Sequence, residues 1–191
     1  MAAAAEWLEG ARPRTLPTAI APVLAGTAIA ITDGGARWGL AALCLVVALG
    51  LVIGVNFAND YSDGVRGSDG EDRVGPLRLV GSGLAEPSHV RVAAFACFAV
   101  SAVAGLVITI MTGHWWFIAV GVVCILAAWF YTGGSHPYGY AGLGEIFVFI
   151  FFGLVAVGGT IYVQTDHVGA AGWGTACLIG ATACGLSLIH I

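Results

Sequence analysis

The sequence predicts an all-α protein, a polytopic bundle of transmembrane helices, and three observations predict it. Hydrophobic residues make up 59% of the 191 positions and charged ones only 9%, for a mean hydropathy of +0.92, far above an ordinary soluble domain. The apolar residues fall in runs that approach the ~20 residues needed to cross the hydrocarbon of a bilayer. The arginines gather at alternate ends of those runs.

Five runs cover residues 16–31, 40–58, 90–111, 115–131 and 143–163, and a sixth begins near Val168. The first is short and contains Pro17 and Pro22, which a membrane helix accommodates where neighbouring helices re-satisfy the freed carbonyls. It is read as a retained segment, because Glu6 and Glu9 stand where a signal peptide would carry basic residues. If the helices alternate, Arg12, Arg14, Arg66, Arg73, Arg78 and Arg91 fall on one side and only Arg37 on the other. Positive charge is kept inside, so the N-terminus and the 59–89 loop are expected in the cytoplasm.

Charge also excludes a class of partner. The net charge of -4 comes from seven arginines against eleven acids, with no lysine, so no basic face is available to a nucleic-acid backbone. Cys44, Cys97, Cys124, Cys177 and Cys184 all lie in apolar stretches without metal-ligand spacing, and read as small buried hydrophobes.

The segment from Asn59 to His89 is the compositional outlier, with six of the eleven acids and three of the seven arginines among six glycines. A solvated linker is the plain reading of such a segment. Against it, the acids begin while the second apolar run is still in progress, and the turn-rich stretch 132–142 falls on the same side of the membrane. Asn56, Asn59, Asp60 and Asp63 stand at i, i+3, i+4 and i+7, so one helix would carry them on one face and converge them at its end. Carboxylates at a helix C-terminus oppose the macrodipole and repel one another, a conflict that a divalent cation removes. Carboxylate and amide oxygens suit Mg²⁺ or Ca²⁺, and Mg²⁺ is typically held by one or two carboxylates together with substrate phosphates. Asp69 adds a further ligand, and Arg73 and Arg78 add guanidinium forks that match phosphate oxygens. On these residues alone a Mg²⁺–phosphate site and a charged linker or other ion function both remain open.

The run from Asn56 through Asn59, Asp60, Asp63, Arg66 and Gly67 to Asp69, with Asp72, Arg73, Gly75, Pro76 and Arg78 behind it, resembles the first aspartate-rich motif of the UbiA superfamily of membrane prenyltransferases. Two further blocks resemble the same family: Ala11 to Pro17, and Tyr131 to Glu145 with its Gly133, Gly134, Pro137, Tyr138 and Tyr140. The likeness is greatest to the branch that prenylates 1,4-dihydroxy-2-naphthoate in menaquinone synthesis, on the spacing of Gly67 and Asp69.

That resemblance implies a bundle around a central cavity, integral to the cell's inner membrane, with its aspartate-rich loops at the cytoplasmic mouth. It implies Asp60 and Asp63 as the catalytic pair, with Asn56, Asp60, Asp63 and Asp69 on Mg²⁺ and Asn59, Arg66, Arg73 and Arg78 on the diphosphate. Tyr131, Tyr138 and Glu145 would line the aromatic-substrate side, although a tyrosine at this depth also fits an aromatic belt. The implied partners are a polyprenyl diphosphate, an aromatic acceptor and the lipid bilayer, with loss of diphosphate and CO2 giving demethylmenaquinol. Prenylation of 4-hydroxybenzoate, or a cation-coupled transporter using the same Asn and Asp residues, are the competing readings.

Two departures stand out. His136 occupies a place where lysine is common, and a neutral imidazole brings one donor where lysine brings a full charge. The family carries a second aspartate-rich loop after the sixth of about nine helices, whereas this chain ends at Leu186 to Ile191 with no such loop. Residues 1–191 are therefore expected to be the N-terminal portion of a single prenyltransferase domain.

Overall fold

A computed structural model describes residues 2–67, 77–135 and 137–189, and each of the six apolar runs contains a helix. A short helix α1 (Ala4–Gly10) begins where the Glu6 carboxylate accepts the backbone N–H of Ala3 at 2.6 Å. Arg12 takes a left-handed conformation at φ 55°, and the 3₁₀ turn Pro13–Thr15 leads to α2 (Pro17–Thr32), bent by 49° from the segment before it. Pro17 sits in the first turn, where its missing N–H leaves no orphan. Next come α3 (Trp38–Arg66), α4 (Pro87–Thr112), α5 (Phe117–Phe130), α6 (Gly144–Thr165) and α7 (Ala170–Ile189). Seven residues of α6, Phe149–Val155, are wound as a π-helix.

Among the described residues α3, α4 and α6 are long and apolar enough to cross a membrane, and the bent N-terminal pair brings the number to four. The run over 115–131 holds a shorter helix than expected: Trp115 and Trp116 form a turn, and α5 has 14 residues, about 21 Å of helix. The protein is thus an all-α integral membrane bundle. Its 29-residue α3 is about 43 Å long, longer than the ~30 Å hydrocarbon core, so its last turns stand clear of the apolar layer. Gly67, in left-handed geometry at φ 69°, ends it.

Small residues set the close approaches, as expected where lipid supplies no hydrophobic drive between helices. A Cβ on Gly50 would lie 2.3 Å from Ser101 Oγ, and that hydroxyl donates to the Val47 carbonyl at 3.0 Å, joining α3 to α4. Gly153 of α6 meets Gly180 of α7, where a Cβ would come within 2.7 Å of the Gly180 Cα.

Two sets of turns close the bundle. One end gathers the turns around Asp33 and Arg37, His114, and Asp166 and His167; His114 Nε2 contacts Asp166 at 2.8 Å, and Gln164 Oε1 accepts the Arg37 N–H at 3.1 Å. The other end gathers the N-terminal turn, the C-terminus of α3, the turn at 79–83 and the segment 131–142. Its floor is a buried cluster of Phe57, Ala58, Leu79, Val90, Ala94 and Phe98.

Candidate functional site

Continuation of α3 to Arg66 places Asn56, Asn59, Asp60 and Asp63 on one helix, as their spacing requires. They do not converge on one point. From Asn56 to Asp63 the helix rises about 10 Å, and each side chain meets a different segment. Asn56 Nδ2 donates to the Ala11 carbonyl at 2.9 Å and to Thr15 Oγ1 at 3.0 Å, fastening the N-terminal turn. The Asn59 carbonyl oxygen accepts the Thr132 hydroxyl at 2.7 Å.

The Asp60 carboxylate is 1% exposed and accepts two successive backbone N–H groups, from Leu79 at 2.7 Å and Val80 at 3.0 Å. Buried charge is costly unless it is hydrogen-bonded, and here both oxygens are. Asp63 is buried as well: Oδ2 pairs with the buried Arg78 guanidinium at 2.8 Å, and Oδ1 accepts the Tyr140 hydroxyl. Arg78 therefore lies against a carboxylate and orients it.

Arg66 reaches toward the second loop, donating to the carbonyls of Thr132 and Gly134, with its guanidinium 5.7 Å from the centroid of the Tyr140 ring. It also borders an open recess of about 270 Å³ shared with Tyr61, Val65 and Trp129. Asp69, Arg73 and His136 lie outside the described residues.

In the second loop the Tyr138 hydroxyl donates to the Ala127 carbonyl at 2.6 Å, and its ring stacks on Phe147 with centroids 4.0 Å apart. Tyr131 meets Tyr138 edge-on at 5.5 Å. Glu145 is half-buried in the first turn of α6, where the helix dipole favours an acid. Burial, then the nearby Glu145 and Asp63 carboxylates, raise the Tyr131 phenol above its ordinary pKa. Burial does the same at Tyr138, and at Tyr140 burial acts together with the Asp63 carboxylate. All three stay protonated through neutral pH and serve as neutral donors.

Thr132, Tyr140 and the Leu79 and Val80 amides join this end without a site role assigned to them from the sequence. For the two side chains a signal was available, since both lie in the turn-rich stretch assigned to the same end as Asp60. Backbone donors leave no such trace.

The donors at this end are carboxylate, amide and hydroxyl oxygens beside guanidinium groups, a set that fits a hard divalent cation carrying a phosphate-bearing anion. Among the described residues no three His, Cys, Asp or Glu side chains form a group able to hold a metal ion by themselves. A cation here would need oxygens from its ligand, which is the usual habit of Mg²⁺.

Comparison with known proteins bears on this set. Residues 19–191 match the model of the UbiA prenyltransferase family. A 1,4-dihydroxy-2-naphthoate octaprenyltransferase of Mycobacterium tuberculosis is 58% identical over 96% of this chain and 62% of its own length. The protein of that name from Escherichia coli is 40% identical over 94% of this chain and 58% of its own. A 2-carboxy-1,4-naphthoquinone phytyltransferase of Synechocystis is 26% identical over 84% and 51%. The chain thus spans about three fifths of the length of the first two relatives. No solved structure matches it.

Proposed function

Because the chain belongs to the UbiA prenyltransferase family, whose members are generally divalent-metal dependent, we propose that it is the larger part of a Mg²⁺-dependent enzyme transferring a polyprenyl group to 1,4-dihydroxy-2-naphthoate. The observation that carries the chemistry is the pair Asp63 and Arg78: a carboxylate able to hold a cation, in contact with a guanidinium able to face the phosphate it carries. The names of the mycobacterial and E. coli relatives support the acceptor.

When bound, Mg²⁺ would stabilise the negative charge that develops on departing diphosphate oxygens. In this reading Asp63 and Asp60 are the catalytic carboxylates, and Asp60 also holds the Leu79–Val80 turn against α3 so that Arg78, next in the chain, stays beside Asp63. Asn59 and Arg66 fix the second loop to the first, and Asn56 fixes the N-terminal turn. Asp69 and Arg73 supply a further ligand and a further guanidinium for the diphosphate. An allylic carbon that loses diphosphate becomes cation-like and would be hydrolysed by water, so the reaction belongs inside the bundle. Tyr131, Tyr138 and Glu145 line the acceptor's side, and loss of the ring carboxylate as CO2 gives demethylmenaquinol. The bilayer supplies the isoprenoid tail, and the Asp60 end faces the cytoplasm of a cell whose inner membrane holds the protein, in keeping with the arginines at that end.

Product formation in liposomes tests the reading. Mg²⁺, a polyprenyl diphosphate and 1,4-dihydroxy-2-naphthoate are supplied to this chain and to a fusion carrying the segments of the M. tuberculosis relative beyond the match. Prenylated naphthoate from either supports the proposal, and EDTA should stop it. Prenylation of 4-hydroxybenzoate alone would overturn the acceptor; inactivity of both, beside an active M. tuberculosis protein, would overturn the reaction.

A further inference from the structure

The two oxygens of Asp63 are held unequally. Oδ2 faces the guanidinium of Arg78, a permanent charge that is 9% exposed and confined by the buried Leu79 beside it. Oδ1 accepts from the neutral phenol of Tyr140, a residue that is 59% exposed. A side chain so exposed leaves little packing behind when it turns away, whereas Arg78 is itself buried and its departure would break a buried ion pair.

The local backbone supports that contrast. Tyr138 is pinned at the start of the 3₁₀ turn Tyr138–Ala141 by its bond to the Ala127 carbonyl and its stacking on Phe147. Gly142, at φ 74°, closes the turn in a left-handed conformation that other residues adopt poorly. Tyr140 thus projects from a short turn fixed at its Tyr138 side and ending on glycine. The Arg66 guanidinium lies over its ring, and Arg66 is retained at the loop by the Thr132 and Gly134 carbonyls.

We propose that Tyr140 is a positioning residue that occupies one oxygen of Asp63 in the free protein and surrenders it to a divalent cation arriving with diphosphate. The inference rests on the metal–diphosphate reading of Asp63. A phenol O–H and a cation compete for the same lone-pair region of Oδ1, while Arg78 keeps the carboxylate in place through Oδ2. No proton is transferred, since the phenol leaves as a neutral donor. The device costs affinity for metal alone and keeps the buried carboxylate paired until the anion arrives.

The test is binding of Mn²⁺, followed by its electron paramagnetic resonance signal, with and without inorganic pyrophosphate. The detergent-solubilised chain is compared with Y140F, which keeps the ring over Arg66, and with D63N. Removing one hydrogen bond to a charged acceptor should tighten Mn²⁺ binding by roughly tenfold in Y140F, and D63N should lose binding. Mn²⁺ with pyrophosphate should also perturb the tyrosine absorption of wild type, a change missing from Y140F. Wild-type affinity in Y140F with binding lost in D63N would overturn the role of Tyr140 and leave the metal reading intact. Weaker binding in Y140F would overturn it too, by making Tyr140 a helper. Full binding in D63N would remove the metal reading and the inference together. Where D63N fails to fold, the Y140F affinity and the absorption change decide alone.

Discussion

Asp60 and Leu79, nineteen residues apart, are joined by a 2.7 Å hydrogen bond from the Leu79 N–H to Asp60 Oδ2, and the Leu79 side chain beneath it is fully buried. This bond and its companion from Val80 attach the segment following α3 to the helix itself. The Asp60→Ala change removes a charged acceptor and leaves two N–H groups unpaired, at a cost of about 3 kcal/mol. Thermal unfolding in detergent should show a clear loss of midpoint for D60A and a smaller one for D60N, which keeps one acceptor oxygen. Unchanged midpoints in both would mean that the carboxylate does not hold the turn.

The bond between Thr132 and Asn59 makes a separate prediction, because it joins the two loops at the same end of the bundle. In a double-mutant cycle of T132A and N59A, a coupling of about 1 kcal/mol is expected for one side-chain hydrogen bond. Additive losses would show that this bond does not couple the two loops.

What could be read from the sequence differs between the scaffold and the site. Residue spacing was enough to bring Asn56 to Asp63 onto one helix face, and arginine counting was enough to gather Arg12, Arg66, Arg78 and Arg91 at one end. The partners were not legible, because each comes from a segment distant in the chain: Ala11, Thr132, Leu79 and Tyr140. Periodicity reports a face and says nothing of what lies opposite. The start of α5 was not legible for a related reason, since hydropathy averages over Trp115 and Trp116 while the backbone there closes a turn on Gly113.

The raised phenols of the second loop set an alkaline prediction. A tyrosine whose folded pKa lies above its unfolded value holds its proton longer when folded, so its contribution to stability is present below pH ~10 and is lost as pH rises through and beyond that point. Denaturation followed between pH 7 and 12 should show a flat region, then a fall beginning near 10. The fall should be shallower in Y138F, which removes the most strongly raised of the three phenols. Stability that rises above pH 10 would contradict the sign.

The contact between Gly153 and Gly180 carries the last prediction, and it concerns the membrane interior. A Cβ on Gly153 would stand 2.6 Å from the Ala176 carbonyl oxygen and 2.7 Å from the Gly180 Cα, both backbone atoms that cannot rotate away. The G153A change therefore has to separate α6 from α7 or alter the π-helical turn that presents Gly153. Overpacking of this kind costs about 1–3 kcal/mol, and the loss should be read in the unfolding midpoint. A matched change at Gly174, where a Cβ meets nothing, should leave the midpoint near wild type. Because Gly153 is remote in sequence from the aspartate-rich segment, Mn²⁺ binding at Asp63 should survive G153A in the fraction that remains folded. Loss of that binding in folded protein would mean that the α6–α7 spacing is transmitted to the Asp63 end.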